Sequence, residues 1–455
     1  MFRQIEMPLW LLILILAFAA VTFASHFLFP SVRWFFRRRM ERVVAKLNER
    51  LERPIEPFKL LRRQDTIQRL VYDPSVVEAV AEHAAETGGR EDVSFELARK
   101  YAREIVPSFS ASAYFGFAIR AAKVLSRAFY RVRLGHFDEA AISAIGSDAT
   151  VIFVMNHRSN MDYVLVTYLA AERSALSYAA GEWARVWPLS RLVRAMGAYF
   201  IRRKSRNALY RRVLARYVQM ATRNGVAQAV FPEGGLSLNG EVGAPKLGLL
   251  NYIVSDYKPG QNRDVAFVPV AINYDRVLED RVLVAAAGLT ERKFRFRWRD
   301  AARYFVKHLF QRLTGRFLRY GYAAVSFGAP LSLAEYSKGR KGDLTKEIGV
   351  ELMSRIRSIV PVLPIPVIST CLLQAKDPVS RDQLKQCGVD MIAGLRTTGA
   401  HVEIFDEDMN TEMENAINHL LMRQLIHEDE TGIHKGDDDN ALLHYYAASI
   451  GHLLS

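Results

Sequence analysis

Cysteine is nearly missing from this chain of 455 residues: Cys371 and Cys387 are the only two. Two thiols cannot build a disulfide scaffold or a Cys-rich zinc site, and they fit a reducing compartment; no metal site is expected. No internal repeat or long low-complexity tract is visible. Acid is in short supply: 48 Asp and Glu face 62 Lys and Arg, a net charge of +14 with a sequence pI near 9.7. Such a balance raises nucleic-acid binding, yet no helix-turn-helix, zinc or aromatic-sheet signature accompanies it, and that class is disfavoured. Apolar residues, by contrast, are plentiful. At 50% hydrophobic and 11% aromatic the chain buries too much surface for general disorder. A prior of roughly 150 residues per domain suggests two or three units.

The longest gap in charge lies at the start. No Asp, Glu, Lys or Arg occurs between Glu6 and Arg33, and Leu9 to Phe29 forms an apolar run of 21 residues. As a helix that run spans about 30 Å, the thickness of a bilayer's hydrocarbon core. A cleaved signal peptide is the competing reading; only Arg3 precedes the run, and a basic segment rather than a cleavage site follows. An uncleaved transmembrane helix over 1–30 is therefore expected. Arg33, Arg37, Arg38, Arg39, Arg42, Lys46, Arg50 and Arg53 follow it, so the positive-inside bias places the rest of the chain on the cytoplasmic face.

Charge is uneven further along. Residues 401–455 hold 12 acidic and 2 basic side chains, a net of −10, so residues 1–400 carry +24. Tyr114 to Arg133 places Phe115, Ile119, Ala122, Leu125 and Phe129 at helical spacing among Arg120, Lys123, Arg127 and Arg131. Arg292 to Arg319 adds ten basic residues interleaved with aromatics. Each alone reads equally as a packed helix with a solvated basic face. Beside the apolar N-terminus, the pair points to a protein lying against membrane phospholipid.

Helical spacing recurs around Val43–Leu51, Ile67–Val71, Val76–Ala85 and Phe95–Ile105. From 148 the pattern becomes short apolar strands alternating with helices: Thr150–Met155, Gly225–Phe231, Val265–Ile272 and Ala323–Phe327, with a helix over Met161–Ala171. That alternation predicts an α/β layer covered on both faces. Helices return beyond Pro366. The division expected is 1–30 membrane helix, 31–105 basic helical segment, 106–335 α/β domain and 336–455 C-terminal helical region.

Chemistry gathers where these strands end. In Met155-Asn-His-Arg-Ser-Asn-Met-Asp-Tyr163, His157 is the side chain suited to take a proton near neutral pH, and Asp162 is close enough to fix its tautomer. Ser159-x-x-Asp162 also reads as a capping box, with Asp162 bonding back to the Ser159 amide. Gly197-Ala-Tyr-Phe-Ile-Arg-Arg203 ends in Arg202 and Arg203, which suit bidentate phosphate capture or a solvated pair. Phe231-Pro-Glu-Gly-Gly-Leu-Ser237 follows a strand: Gly234 and Gly235 allow close approach to an anion, and Glu233 can hold a hydroxyl or an arginine. Lys246 adds positive charge nearby. Pro269, inside an apolar run, is expected at a bulge or sheet edge.

Each segment is ambiguous alone, but their order is not. His157-Arg-Ser-Asn-Met-Asp-Tyr163, Gly197-Ala-Tyr-Phe-Ile-Arg-Arg203, Phe231-Pro-Glu-Gly-Gly-Leu-Ser237 and Val268-Pro269 resemble the four motifs of the glycerolipid acyltransferases, specifically the bacterial membrane-bound glycerol-3-phosphate 1-O-acyltransferases. The resemblance covers roughly residues 100–335, and Tyr445 to Leu454 is similar to the family's C-terminal helical region. The family's long N-terminal domain has no counterpart.

The resemblance implies an α/β fold, an acyltransferase-type mixed sheet covered by helices. It also implies transfer of a fatty acyl group from acyl-CoA or acyl carrier protein to the sn-1 hydroxyl of glycerol 3-phosphate at the inner membrane, giving lysophosphatidate, the first step of phospholipid synthesis. His157 and Asp162 would be catalytic. Arg158, Arg202, Arg203, Glu233, Gly234, Gly235, Ser237, Lys246 and Pro269 would bind substrate. No cofactor beyond the donor thioester, and no nucleic-acid partner, is expected. No serine or cysteine stands in a nucleophile elbow, so no acyl-enzyme is expected. Leu236 and Leu238 stand where the family carries arginines. That departure opens lysophosphatidate or another polyol phosphate as an alternative acceptor, and a silent membrane scaffold is the alternative to catalysis.

Overall fold

The structure is a computed structural model that describes residues 8–170, 175–181, 189–202, 207–287, 320–376, 378–404, 406–436 and 440–454, with side chains at 20–37, 40, 189 and 406 excepted. It divides into two compact units, 1–55 and 56–455.

The first unit is a helix of 40 residues, Leu9–Asn48. Its described apolar side chains face outward all round: Trp10, Ile13, Leu14, Leu16 and Phe18 are all more than half exposed. Among the described residues no helix is long and apolar enough to cross a membrane; much of the span expected over 1–30 lies outside them. The helix then continues without a break through the Arg33–Arg42 segment, and the side chains at 20–37 lie outside the described residues.

In the second unit the described residues form an eight-stranded mixed sheet. Its strands are β1 (Arg131–Phe137), β2 (Thr150–Met155), β3 (Ser177–Ala180), β4 (Tyr199–Phe200), β5 (Gln228–Val230), β6 (Val265–Tyr274), β7 (Tyr322–Phe327) and β8 (Leu331–Ser332). The order is β1-β7-β6-β2-β5-β3-β4, with β8 also pairing β6. Strands β6, β2, β5, β3 and β4 are mutually parallel, whereas β7 and β8 run antiparallel to β6. The expected mixed sheet with helical cover is therefore present.

Strand alternation sorts the core into two faces. Val151, Phe153 and Met155 of β2, with Val268, Val270 and Ile272 of β6, point to one face. It is packed by Met161–Leu169 and by the C-terminal helices Pro364–Gln374 and Met409–Met422. Ile152, Val154, Val265, Phe267 and Ala271 point to the other, covered by helices within 63–105, by Ala208–Arg223 and by Leu344–Ser358. All six residues of β2 and all ten of β6 are buried, which explains their continuous apolar runs.

Pro269 departs from the expectation of a sheet edge but sits at a break in the pairing on one side of its strand. It lies within β6, in the middle of the sheet rather than at its edge, paired with Val154. On its other side the partner changes: β8 pairs Ala266 and Phe267, β7 takes over from Val270, and Pro269 only accepts, from Gly328 N at 2.9 Å. The missing N–H falls where no ladder bond is required.

The basic stretch 114–133 is helical only as far as Phe129, through a π-helical turn Ser112–Ala118 and then Ile119–Phe129, before β1 begins at Arg131. Its buried stripe is Tyr114, Ala118, Ala122 and Ser126, while Phe117, Val124 and Leu125 are exposed beside Arg120, Lys123 and Arg127. The stretch 292–319 and residues 437–439 lie outside the described residues. A short antiparallel hairpin, Ile426–Asp429 with Gly432–Lys435, interrupts the otherwise helical C-terminal region.

Candidate active site

Because β5, β2 and β6 are adjacent and parallel, the segments that leave their C-terminal ends meet at one edge, the place where open α/β sheets bind ligands. Residues 156–162 leave β2, 231–241 leave β5 and 275–279 leave β6. Three sequence-distant segments thus become one cluster.

At its centre, His157 Nδ1 lies 2.9 Å from Asp162 Oδ2, and the two residues are 1% and 0% exposed. The same Oδ2 accepts the amides of Arg158 at 2.7 Å and Ser159 at 3.0 Å, and Oδ1 accepts the Tyr274 hydroxyl at 2.7 Å. A carboxylate surrounded by donors is an acceptor toward the ring as well, which assigns the imidazole proton to Nδ1 and leaves Nε2 with its lone pair free. Burial and the Asp162 carboxylate hold the Tyr274 phenol well above its ordinary range, so it stays a donor. Asp162 bonds back to the Ser159 amide, but the capping box expected with Ser159 as N-cap is not completed: the helix Met161–Leu169 has Asn160 as N-cap without a side-chain cap bond, and Ser159 Oγ takes the Met161 amide instead.

The loop is braced from every side. Asn156 exchanges two hydrogen bonds with the backbone of Ile272, locking the end of β2 to β6. Glu279 accepts from Ser159 Oγ at 2.8 Å and from Asn160 Nδ2 at 2.9 Å, and burial raises its pKa. Arg158 is 1% exposed; one guanidinium nitrogen donates to the Gly240 carbonyl and the group lies 4.8 Å from the Tyr445 ring centroid. The His157 ring stacks on Phe231 at 4.1 Å and meets Tyr163 edge-on at 5.5 Å.

Glu233 holds neither a hydroxyl nor an arginine directly: it accepts the His157 amide at 3.0 Å and the Gly243 amide. Burial pushes its carboxyl up to about 7, against the two amides. The Ser237 amide donates to the His157 carbonyl at 2.8 Å, and its hydroxyl closes the 237–241 turn through Glu241 O and Gly240 N. Gly234 has φ 64°, a left-handed backbone that strains other residues, and the flexible, exposed Lys246 chain lies over it. The Gly234 amide is committed to the Phe231 carbonyl at 3.0 Å, and Gly235 is half-buried beside it. Leu236 and Leu238 pack against the core instead of offering charge.

Arg202 stands on the same edge after β4, three strands from β2, about 14 Å away by strand spacing. Its guanidinium is bidentate to Glu104 at 2.9 and 2.5 Å, which raises its pKa. Arg203 lies outside the described residues. Among the described residues no group of His, Cys, Asp and Glu forms a metal site. Sequence reasoning passed over Tyr274, Glu279 and Asn156. Their signal was position: each is a polar residue at or just beyond the C-terminal end of a buried strand.

A buried imidazole with a fixed tautomer, a free Nε2 and a fully anchored carboxylate has the chemistry of a general base, and residues 138–273 around it match the acyltransferase family. Residues 307–455 match the C-terminal region of glycerol-3-phosphate acyltransferases. The chain belongs to the glycerol-3-phosphate acyltransferase family. A glycerol-3-phosphate acyltransferase of Alteromonas mediterranea is 25% identical over 92% of this chain and 53% of its own length. That of Pseudomonas syringae pv. syringae is 24% identical over 86% and 49%. That of Xanthomonas campestris pv. campestris is 31% identical over 53% and 27%. The chain thus spans about half the length of the curated relatives it matches. A solved 1-acyl-sn-glycerophosphate acyltransferase from Thermotoga maritima aligns at 19% identity over 54% of this chain and 78% of its own, with a TM-score of 0.31. The fold described above rests on the chain's own strand order.

Proposed function

We propose that this chain transfers a fatty acyl group from a thioester, acyl-CoA or acyl carrier protein, to the sn-1 hydroxyl of glycerol 3-phosphate. The observation that carries the reading is the buried His157–Asp162 pair at the parallel-strand edge, in a chain of this family. His157 Nε2 takes the proton of the hydroxyl while Asp162 steadies the imidazolium. The freed oxygen attacks the thioester carbonyl, with the Gly235 region meeting the developing oxyanion. Collapse expels the thiolate, which recovers the proton from His157. No acyl-enzyme forms and no cofactor takes part. Arg203 and Lys246 hold the acceptor phosphate, an orienting role. Because His157 is only 1% exposed here, the side chains over it, Phe231 foremost, must shift to admit the hydroxyl.

The test is purified protein with palmitoyl-CoA and labelled glycerol 3-phosphate, with lysophosphatidate as the product sought. His157→Ala should abolish product while the circular dichroism spectrum stays native. Undiminished turnover in that variant would end the assignment. The apolar packing of Leu236 and Leu238 favours a second reading, lysophosphatidate as acceptor, which the same assay separates by the acceptor consumed.

We also propose residence at the inner membrane with the 56–455 unit on the cytoplasmic side. The support is the exposed apolar surface from Leu9 to Phe18, the basic run behind it, and exposed Phe117, Val124 and Leu125 among basic residues. Flotation with anionic vesicles tests it: removal of residues 1–30 should weaken association without abolishing it.

A further inference from the structure

The chain has only two thiols, and the fold brings them together. Cys371 lies on the helix Pro364–Gln374 and Cys387 on the next, Arg381–Thr397. These helices pack closely because a glycine faces the contact: a Cβ on Gly388 would stand 3.2 Å from Ile368 Cδ1 and 2.7 Å from Met413 Sδ. Cys371 follows Ile368 by about one turn, and Cys387 immediately precedes Gly388. The crossing therefore sets one thiol against the other, within hydrogen-bonding reach. Their surroundings differ. Cys371 is fully buried in the core, whereas Cys387 packs on the edge of the same cluster and is half-buried; both are free. A core position accounts for Cys371 as a small apolar side chain. It does not account for a second thiol facing it from the solvent side of the contact.

We propose that Cys371 and Cys387 form a redox-modification site: a peroxide that reaches Cys387 converts the pair into a reversible disulfide fastening the two helices. The site stands apart from the acyl-transfer reading. Access sets the order of events. With hydrogen peroxide, the Cys387 thiolate breaks the O–O bond; an S–O bond forms, water leaves and a sulfenic acid remains. Cys371 then attacks that sulfur. The S–S bond forms, the S–O bond breaks, and the hydroxyl departs as a second water with the Cys371 proton. Two thiols lose two electrons and one peroxide gains them. Burial pushes the Cys371 thiol up, so alone it is inert toward peroxide and reacts only with the electrophile beside it. The bond joins residues 16 apart in sequence and restricts the unfolded chain, which stabilises the linked fold. The fastened helix also starts beside the dyad's support: the Ile365 amide donates to Asp275 Oδ1 at 2.9 Å, one residue after Tyr274.

Reduced full-length protein titrated with hydrogen peroxide, then mapped by peptide mass spectrometry with and without dithiothreitol, tests the site. A peptide joining 371 to 387, two hydrogens lighter than the free pair, should accumulate and vanish on reduction. The linked protein should melt a few degrees above the reduced one. Cys371→Ala should stop at a Cys387 sulfenic acid, trapped by dimedone. Cys387→Ser, a change at a half-buried position, should leave Cys371 unmodified in folded protein. Sulfinic acid at Cys387, or a disulfide between two copies, with Cys371 free in the unaltered protein, would overturn the pairing. So would two intact thiols at peroxide doses that fully oxidise glutathione. A linked protein that melts no higher than the reduced one would overturn the fastening.

Discussion

The loop 156–163 and the turn 231–246 meet at one sheet edge and are built on different principles. The first is a dense polar network: Asn156, His157, Ser159, Asn160 and Asp162 each have named partners and the dyad itself is buried, while the buried Arg158 keeps two guanidinium nitrogens without a hydrogen-bond partner. The second is half open, with a left-handed Gly234, an exposed Lys246, and Leu236 and Leu238 turned to the core where charge was expected. A network that fixes one tautomer tolerates almost no change; a turn that contributes shape and one cation tolerates a good deal. On the acyl-transfer reading, the first bank specifies the proton transfer and the second tunes which acceptor is held.

The sharpest way to break that contrast is at Asp162. Asp162→Asn is expected to lower kcat by about 10³–10⁴-fold with little change in KM, because an amide neither enforces the Nδ1 proton nor steadies an imidazolium. Steady-state kinetics on folded protein decides it, and a loss under tenfold would mean the network is a helix cap and nothing more. A milder probe is Tyr274→Phe, which keeps the ring and removes one of four donors to the carboxylate. About a tenfold drop in kcat is expected, one charge-assisted hydrogen bond's worth. An undiminished kcat would make Tyr274 a packing residue.

The second bank should respond differently. Lys246→Ala is expected to raise KM for glycerol 3-phosphate several-fold and leave kcat nearly unchanged, the signature of a positioning charge. Leu236→Arg should lower the same KM by a similar factor if the missing arginine limits phosphate capture. Should both leave KM for glycerol 3-phosphate where it was while lysophosphatidate is consumed, the second acceptor reading takes over.

How much of this was legible in the chain follows the same division. The strands β2 and β6 announced themselves because burial on both faces requires uninterrupted apolar residues, and the His157–Asp162 pair because five residues across a strand-to-helix turn bring the two together. Strands β1, β3 and β4 did not. β1 hides behind a basic helix whose pattern runs into it, and β3 and β4 have only 4 and 2 residues, too few for a period to show. Tyr274 and Glu279 were unreadable for another reason. They reach the dyad loop across more than a hundred residues of sequence, through a strand order that local pattern does not encode. Arg202 is the reverse case: its motif was plain, but its partner Glu104, on the helix Glu91–Ile105, engages the guanidinium.

The smallest effect expected lies where the two banks touch, at Glu233. Its folded-state value of about 7 stands above the ordinary 4.5 because burial outweighs the two amides that favour the ionised form. A carboxyl raised on folding binds its proton more tightly in the native state, so its contribution to stability is present below about pH 4.5 and is lost as pH rises through 7. Glu233→Gln carries no such titration but loses an acceptor for one of the amides. The variant should therefore melt below the native protein at pH 5, and the gap in Tm should narrow steadily towards pH 8. A gap that stays constant would show that the amides from His157 and Gly243 balance burial, and one that widens with pH that they outweigh it. Glu233 would then belong with the rigid bank rather than at the hinge between the two.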